Sequence, residues 1–170
     1  MSSSERNRGG TVTRLYAYPR PVPSPRGANT GLESLRNVIA RKQPASPMSM
    51  TLDYALVEVD EGRAVFEGKP AEWQYSPAGT VHGGWMATLL ESAMGAAVQS
   101  ALPAGFGFAT IDIQIRFVRP LGAEVPVVRA EGLALHVGKR IASADGKLLD
   151  TEGRLYATAT TSCIVTPDAP

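Results

Sequence analysis

The sequence predicts an α+β protein in which an antiparallel sheet of about six strands wraps around one long central helix. Two observations predict this class. Residues 83–98 carry apolar side chains at helical spacing and contain one ionisable group, Glu91. The second half of the chain reads as strands separated by turns. Because a helix that is apolar nearly all round must be buried, the strands have to cover it.

The first part of the chain is expected to stand outside this core. Residues 1–28 are rich in Ser, Arg, Gly and Pro, which indicates a flexible tail. A capping residue and apolar positions predict a short amphipathic helix near residues 30–41, which ends before Pro44 and Pro47. We therefore expect a tail over residues 1–48 and a folded domain over residues 49–167. A start at Met48 or Met50 should then lose little of that domain.

The strands follow in order on either side of the long helix. Residues 52–59 and 63–68 flank the turn at 60–62 and form a predicted hairpin. Beyond the helix, residues 110–117 alternate strictly between apolar and polar side chains. Ile111, Ile113, Ile115 and Phe117 should share one face, and Thr110 should lie on the other. Three more strands are predicted in the segments 125–137, 140–145 and 155–165.

Composition excludes several classes of function. Lys and Arg number 17 against 16 Asp and Glu, so the basic excess typical of a nucleic-acid-binding surface is missing. No apolar run is long enough for a membrane span, and the N-terminus lacks the apolar stretch of a signal peptide, so we expect a cytoplasmic protein. Cys163 is the one cysteine and reads as a core residue, and with two histidines the chain has no metal-ligand cluster.

Glu91 is the first candidate for a functional residue. A carboxylate in an apolar helix is costly to bury unless it is paired or used. Its neighbours one turn away are small, and His82-Gly83-Gly84 at the helix start leaves backbone N–H groups free to bind a ligand. From spacing alone, a site and a core helix with one ion-paired glutamate both remain open.

A family resemblance rests on an ordered set of motifs. These are Ser76 to Gly84 with its His-Gly-Gly triplet, an acid nine positions after the histidine, Thr110-Ile111-Asp112, and Phe117 to Pro120. The set resembles the hotdog-fold acyl-CoA thioesterases of the PaaI-like branch, over roughly residues 49 to 166. The resemblance implies hydrolysis of an acyl- or aryl-CoA thioester, with coenzyme A as part of the substrate and no separate cofactor. It also implies a homo-oligomer, usually a tetramer.

The resemblance also implies roles for individual residues. Glu91 would be the nucleophile or the general base, and the Gly83 N–H would stabilise the oxyanion. His82 would orient the thioester or the leaving thiolate, and Thr110 would hold the attacking water from the opposite subunit. The residues implied to contact coenzyme A are Gly84, Phe117, Val118, Arg119, Pro120, Val137, Gly138, Lys139 and Arg140. Purely structural roles for His82, Thr110 and the Lys-Arg pair stay open.

One departure from the family pattern concerns Ser76. Relatives usually carry Asn or Gln at this position, where the side chain helps to fix the acid or the water; serine is shorter. Glu91, in turn, is longer than the Asp of many relatives. This departure keeps open acyl-CoA binding without catalysis. A hotdog hydratase or dehydratase is a separate alternative, although the hydratase motif is not found in this sequence. The acyl group is not identified by the sequence.

Overall fold

The computed structural model describes residues 13–18 and 29–167, which form three α-helices and six strands. The helices are α1 (Gly31–Ile39), α2 (Pro47–Leu52) and α3 (Gly83–Ser100). The strands are β1 (Tyr54–Asp60), β2 (Arg63–Gly68), β3 (Phe106–Phe117), β4 (Val128–Val137), β5 (Ile141–Asp150) and β6 (Leu155–Pro167). This order confirms the predicted α+β class. Most of the predicted tail, residues 1–28, lies outside the described residues.

The six strands form one antiparallel sheet in the order β1-β2-β4-β5-β6-β3. The helix α3 packs on one face of this sheet, and Leu89, Leu90 and Met94 at its centre are fully buried. Strands β1 and β3 are the two edges. Among the described residues, none of the helices is long and apolar enough to cross a membrane.

The sheet approaches α3 most closely at a pair of glycines. Gly132 of β4 lies opposite Gly146 of β5 in the strand register. A Cβ atom on Gly132 would lie 2.2 Å from the carbonyl oxygen of Ala93, which belongs to the α3 backbone. A Cβ atom on Gly146 would instead meet the side chain of Met94, at 3.0 Å. The missing side chain at Gly132 therefore lets strand and helix backbones touch two residues beyond Glu91.

Strand β3 does not alternate as its sequence predicts. Its register with β6 shifts between Thr110 and Asp112, so Ile111 is the extra residue of a β-bulge. Thr110 pairs with buried Cys163, and Phe117 pairs with buried Ala157. Thr110 consequently lies on the helix-facing side of the sheet, and the prediction that it faces away from the apolar side chains was wrong.

The edge strand β3 leaves apolar side chains in solvent. On its helix-facing side Ile113 is 36% exposed and Phe117 is 51% exposed, and Val118 just beyond the strand is 57% exposed. These side chains lie beside the unpaired backbone edge of β3. An edge with free hydrogen-bonding groups and an apolar border is a favourable surface for pairing with another strand.

The N-terminal helix is part of the packed structure. A capping box between Thr30 and Glu33 begins α1, and Leu35 is buried in a second apolar cluster with residues of β1, β2 and α3. Cutting the chain at Met48 or Met50 would therefore remove core contacts, contrary to expectation. The division of the chain at residues 48 and 49 stays a prediction.

Helix α2 was missed by the sequence reasoning, which took Pro47 only as a terminator. Ser46 caps this helix and Pro47 occupies its first turn, a combination that favours a helix start. The indole Nε1 of Trp85 donates to the carbonyl oxygen of Leu52 at 2.8 Å and ties α2 to α3. The described segment 13–18 lies nearby, where the guanidinium of Arg14 stacks on the ring of Trp73 at 3.9 Å.

The hairpin between β5 and β6 is closed by a buried carboxylate, Asp150. It accepts hydrogen bonds from the backbone N–H groups of Glu152 and Arg154, from the Arg154 guanidinium and from the Tyr156 hydroxyl. Burial by itself would raise the pKa of Asp150, but these donors outweigh it and lower the pKa to about 2.

Candidate active site

The carboxylate of Glu91 lies at the middle of α3, partly buried, and is hydrogen-bonded to β3. Thr110 Oγ1 donates to Glu91 Oε1 at 2.9 Å. The β-bulge at Ile111 makes this bond possible, because regular alternation would point Thr110 to the other side of the sheet. The resemblance implied a threonine acting from the opposite subunit, whereas here the bond joins two residues of one chain.

Small and aromatic side chains surround the carboxylate. Gly95 lies one helical turn beyond Glu91, and a Cβ atom there would come within 3.0 Å of the Phe108 ring. Behind Thr110, its register partner Cys163 is buried, as predicted. Burial raises the pKa of the Cys163 thiol, so this side chain stays protonated beside the site. The Glu91 carboxylate is thus held in a largely apolar setting with one hydroxyl donor.

The N-terminus of α3 forms a second group of candidate residues. His82 is the N-cap residue, and its Nδ1 accepts the Gly84 N–H at 2.9 Å. In this geometry the ring proton of a neutral His82 is on Nε2, which is free to donate to a ligand. Gly83 is the first residue of α3, and the Phe117 ring lies where its side chain would be, 3.0 Å from an ideal Cβ position. Phe117 thus explains why this position is a glycine.

The two groups are far apart within one chain. Gly83 and Glu91 are eight residues apart, which is about 12 Å along a helix axis. A glutamate side chain leaning towards the helix N-terminus shortens this distance by only part of its own length. The Gly83 N–H and the Glu91 carboxylate of one chain therefore cannot both contact the same reacting carbonyl group.

The residues predicted to bind coenzyme A also divide between two ends of the sheet. Val137 pairs with Ala142 on β5, whereas Phe117 is connected through Ala157 to Leu148 on the same strand. These positions on β5 are six residues apart, about 20 Å. Gly84, Val118, Arg119 and Pro120 lie near the Phe117 end, and Gly138, Lys139 and Arg140 lie near the other.

The cationic residues of these two groups have different surroundings. Lys139 and Arg140 are exposed on the turn between β4 and β5, and neither makes an ion pair within the described part of the chain. Arg119 lies over the Tyr156 ring, 6.0 Å from its centre, and its Nε donates to the Leu155 carbonyl oxygen. The turn therefore offers two cations with free donors.

Ser76 is engaged in its own turn. Its Oγ accepts the Ala78 N–H at 3.3 Å, and its backbone N–H donates to the Thr80 carbonyl oxygen. No hydrogen bond joins Ser76 to Glu91 in the structure, although both residues are described. A catalytic role for Ser76 stays a prediction.

A hydroxyl pair that the sequence reasoning did not single out lies next to Glu91. The Tyr54 hydroxyl is 3.0 Å from Ser92 Oγ, on the residue after Glu91. Burial is the main reason that the pKa of Tyr54 is raised, and the Glu91 charge adds to it. Tyr54 lies within the strand predicted over residues 52–59 and begins the observed strand β1, and nothing in the sequence places it beside the helix.

Glu91 also borders a cavity of about 240 Å³ between α3, β3 and the N-terminal elements. Phe66, Phe108 and Leu56 supply much of its apolar wall. No group of three or more His, Cys, Asp or Glu side chains within residues 13–18 and 29–167 is arranged to hold a metal ion. The arrangement offers a carboxylate that accepts a hydrogen bond from a hydroxyl group and borders an apolar pocket.

Comparison with known proteins agrees with this picture. Residues 78–157 match the model of the thioesterase superfamily. The PaaI protein from the phenylacetic acid degradation operon of Escherichia coli is 18% identical with a TM-score of 0.71, over 82% of this chain and 99% of that chain. A thioesterase from Haemophilus influenzae is 18% identical with a TM-score of 0.70, over 80% of this chain and 92% of that chain.

A third similar structure is a mutant of the phenylacetic acid degradation protein PaaI from Thermus thermophilus. It is 25% identical to this chain with a TM-score of 0.63, over 70% of this chain and 98% of that chain. A search of the curated proteins finds no match. The structural matches establish the hotdog fold, and the resemblance to hotdog thioesterases is confirmed.

Proposed function

We propose that this chain hydrolyses acyl-CoA thioesters to a free acid and coenzyme A, because it has the hotdog fold and its residues 78–157 match the model of the thioesterase superfamily. The observation that carries the proposal is the Glu91 carboxylate. It lies on the central helix, accepts a hydrogen bond from Thr110 and borders an apolar cavity. A carboxylate beside a pocket for an acyl group is suited to attack, or to direct water, at the carbonyl carbon.

In the proposed reaction Glu91 acts as general base. Thr110 holds Oε1, which leaves Oε2 free to accept a proton from water while the water oxygen attacks the thioester carbonyl carbon. The oxyanion forms at the N-terminus of an α3 helix, where the Gly83 N–H and the helix dipole stabilise negative charge. The C–S bond then breaks, and the thiolate takes up the proton. Direct attack by Glu91, through an acyl-enzyme anhydride, is the other route open to the same carboxylate.

We further propose that two copies of the chain build each site. The separation of about 12 Å between Gly83 and Glu91 requires the oxyanion donor and the base to come from different chains. Antiparallel pairing of two β3 edges would cover the exposed Ile113 and Phe117 and bring the start of one α3 helix towards the middle of the other. Such dimers would in turn assemble into tetramers.

The same pairing would account for the division of the predicted coenzyme A contacts between two ends of the sheet. Lys139 and Arg140 lie at the Glu91 end of the sheet, since Val137, Ala142, Cys163 and Thr110 share one row of strand pairs. With the partner turned end for end, these cations and the partner's Phe117 segment would flank one site. Free ammonium and guanidinium groups suit the phosphates of coenzyme A.

The test of the proposed activity is Glu91→Gln, which keeps the side-chain shape but removes the base. Loss of a general base costs on the order of 10²–10⁴-fold in rate. We expect a loss of this size in thiol release from the best thioester, with little change in acyl-CoA binding. Glu61→Gln, in the exposed turn between β1 and β2, is the matched control. Near wild-type turnover by Glu91→Gln would refute the assignment.

The proposal that two chains share each site is tested separately, by measuring the oligomeric state. Light scattering at micromolar protein should give a dimer or tetramer, because one chain alone separates its donor from its base. An active monomer would contradict the shared-site arrangement but would leave the proposed role of Glu91 unaffected.

Acyl-CoA binding without turnover is the second candidate function. One observation favours it: Ser76 makes no hydrogen bond to Glu91, and its Oγ accepts the Ala78 N–H instead, so the polar contact to the acid that relatives make from this position is not formed. Calorimetric binding of an acyl-CoA with no thiol release by the wild-type protein would identify this function.

A further inference from the structure

The cavity beside Glu91 is bordered on one side by the N-terminal part of the chain. Leu35 and Val38 of α1 line it, together with Ala45 and Ser46 from the connection and Ser49 of α2. The side towards the centre of the molecule is formed by α3 and by Phe108 of β3. The carboxylate and the α1 wall thus face the same space.

This wall is fixed to the rest of the molecule. The Gly31 N–H donates to the Leu102 carbonyl oxygen at 3.1 Å, which ties the start of α1 to the segment after α3. A Cβ atom on Gly31 would lie 1.7 Å from the Gln99 carbonyl oxygen, so the two helices touch through their backbones. Leu35 is buried between them. The contacts of Gly31 and Leu35 therefore fix the helix that carries Val38.

None of the residues that form this wall belongs to the matched segment, which begins at residue 78. We propose that α1 and its connection to α2 form the closed end of the acyl pocket, and that they limit the substrates to short uncharged acyl groups. The inference rests on the proposed function, because it takes Glu91 as the reacting end of the same pocket.

The volume of the cavity limits the length of the acyl group that it can hold. A cavity of about 240 Å³ is smaller than the pockets of roughly 300–1,000 Å³ that enclose drug-sized ligands. Octanoyl, benzoyl and phenylacetyl groups have seven or eight carbon atoms, and we expect acyl groups of this size to be the largest that the space takes. A palmitoyl chain has twice as many and would have to displace α1.

The residues that line the cavity determine which charge an acyl group can carry. Its walls are largely apolar, with serine hydroxyls and the Gln99 amide as polar groups. Glu91 is the one ionisable residue among the described residues of the lining. An acyl group with its own carboxylate, such as succinyl, would meet no cation there and would be repelled by Glu91. The pocket therefore favours neutral alkyl and aryl thioesters.

The test changes the wall and leaves Glu91 in place. Val38→Phe places an aromatic ring at the end of the pocket formed by α1, and Ile39→Phe places the same ring on the next residue of α1, which lies outside the lining. Thiol release is measured with acetyl-, octanoyl-, phenylacetyl-, palmitoyl- and succinyl-CoA. One methylene in an apolar pocket changes specificity by about 10–200-fold. We expect Val38→Phe to lower kcat/KM for octanoyl-CoA relative to acetyl-CoA at least tenfold and Ile39→Phe to leave this ratio unchanged.

Two results would overturn the inference: a wild-type preference for palmitoyl- or succinyl-CoA, or an octanoyl-to-acetyl ratio that Val38→Phe does not alter. A separate binding experiment distinguishes this failure from failure of the proposed function. Octanoyl- and palmitoyl-CoA are titrated calorimetrically into Glu91→Gln, with and without Val38→Phe. If the wild-type protein hydrolyses no thioester but binding to Glu91→Gln still depends on acyl length and on residue 38, the pocket assignment is supported and the proposed hydrolytic function is refuted.

Discussion

The contact between Gly132 and the α3 backbone allows a sharp test of how the sheet positions the central helix. In Gly132→Ala the new Cβ atom would lie 2.2 Å from the Ala93 carbonyl oxygen, and ordinary contact begins near 3.4 Å. Helix and strand must therefore separate by about 1.2 Å, because the atoms met are backbone atoms. Overpacking of a core typically costs about 1–3 kcal/mol, and we expect the upper end here.

The matched control is Gly146→Ala, the register partner on the next strand. Its Cβ atom would meet only the side chains of Met94 and Leu90, at 3.0–3.2 Å. Flexible side-chain ends can move aside, and replacing a strand glycine returns roughly 0.5–1 kcal/mol. We expect the free energy of unfolding of this variant to change by less than about 1 kcal/mol.

The assay is thermal unfolding followed by circular dichroism, together with thiol release. For a chain of this size about 1 kcal/mol shifts Tm by about 2–4 °C, so Gly132→Ala should lower Tm by about 6–12 °C. Its turnover should also fall, because the displaced backbone lies two residues from Glu91. Equal shifts in the two alanine variants would refute the reasoning, since they would show that the sheet does not set the position of α3 at Gly132.

Three other predictions follow from the described contacts. Asp150→Asn should lower Tm at neutral pH, because the pKa of Asp150 is lowered in the fold and its ionised carboxylate therefore stabilises the folded state. The difference in Tm from wild type should vanish as pH falls from about 4 towards 2, where the carboxylate becomes protonated. A constant difference across this range would contradict the prediction. Ser76→Ala should lower turnover by at most about tenfold, because losing one neutral hydrogen bond costs a free energy that corresponds to a rate change of about this size. A larger loss would mean that Ser76 takes a direct part in catalysis. In native protein, Cys163 should resist alkylation at neutral pH and react after denaturation, measured by mass spectrometry, since the thiol is buried and its pKa is raised.

The order of the main elements follows from the sequence because each strong pattern is local. Apolar residues at helical spacing specify α3, and alternating or turn-bounded segments specify the six strands. The confirmed fold class depends on these patterns alone. Glu91 could be singled out for the same reason, since a lone carboxylate stands out in an apolar helix.

Most of the features that escaped prediction depend on tertiary structure. The bulge at Ile111 is a one-residue shift between two strands, and the alternation of Ile113 and Phe117 gives no sign of it. It decides on which side Thr110 lies. The separation of Gly83 from Glu91 could have been computed from helix geometry, but motif spacing alone suggested one compact site. The contribution of α1 to the cavity depends on where Leu35 packs, which local patterns do not specify.

The two tryptophans lie in contrasting places and give the molecule two separate optical reporters. Trp85 is 4% exposed and its indole donates to Leu52, so its emission follows the docking of α2 on the central helix. Trp73 is 39% exposed and lies under the Arg14 guanidinium, so its emission follows the contact of residues 13–18 with the folded body. A quencher dissolved in water reaches Trp73 before Trp85. Release of the N-terminal segment and loosening of the core are therefore distinguishable in one unlabelled sample by fluorescence alone.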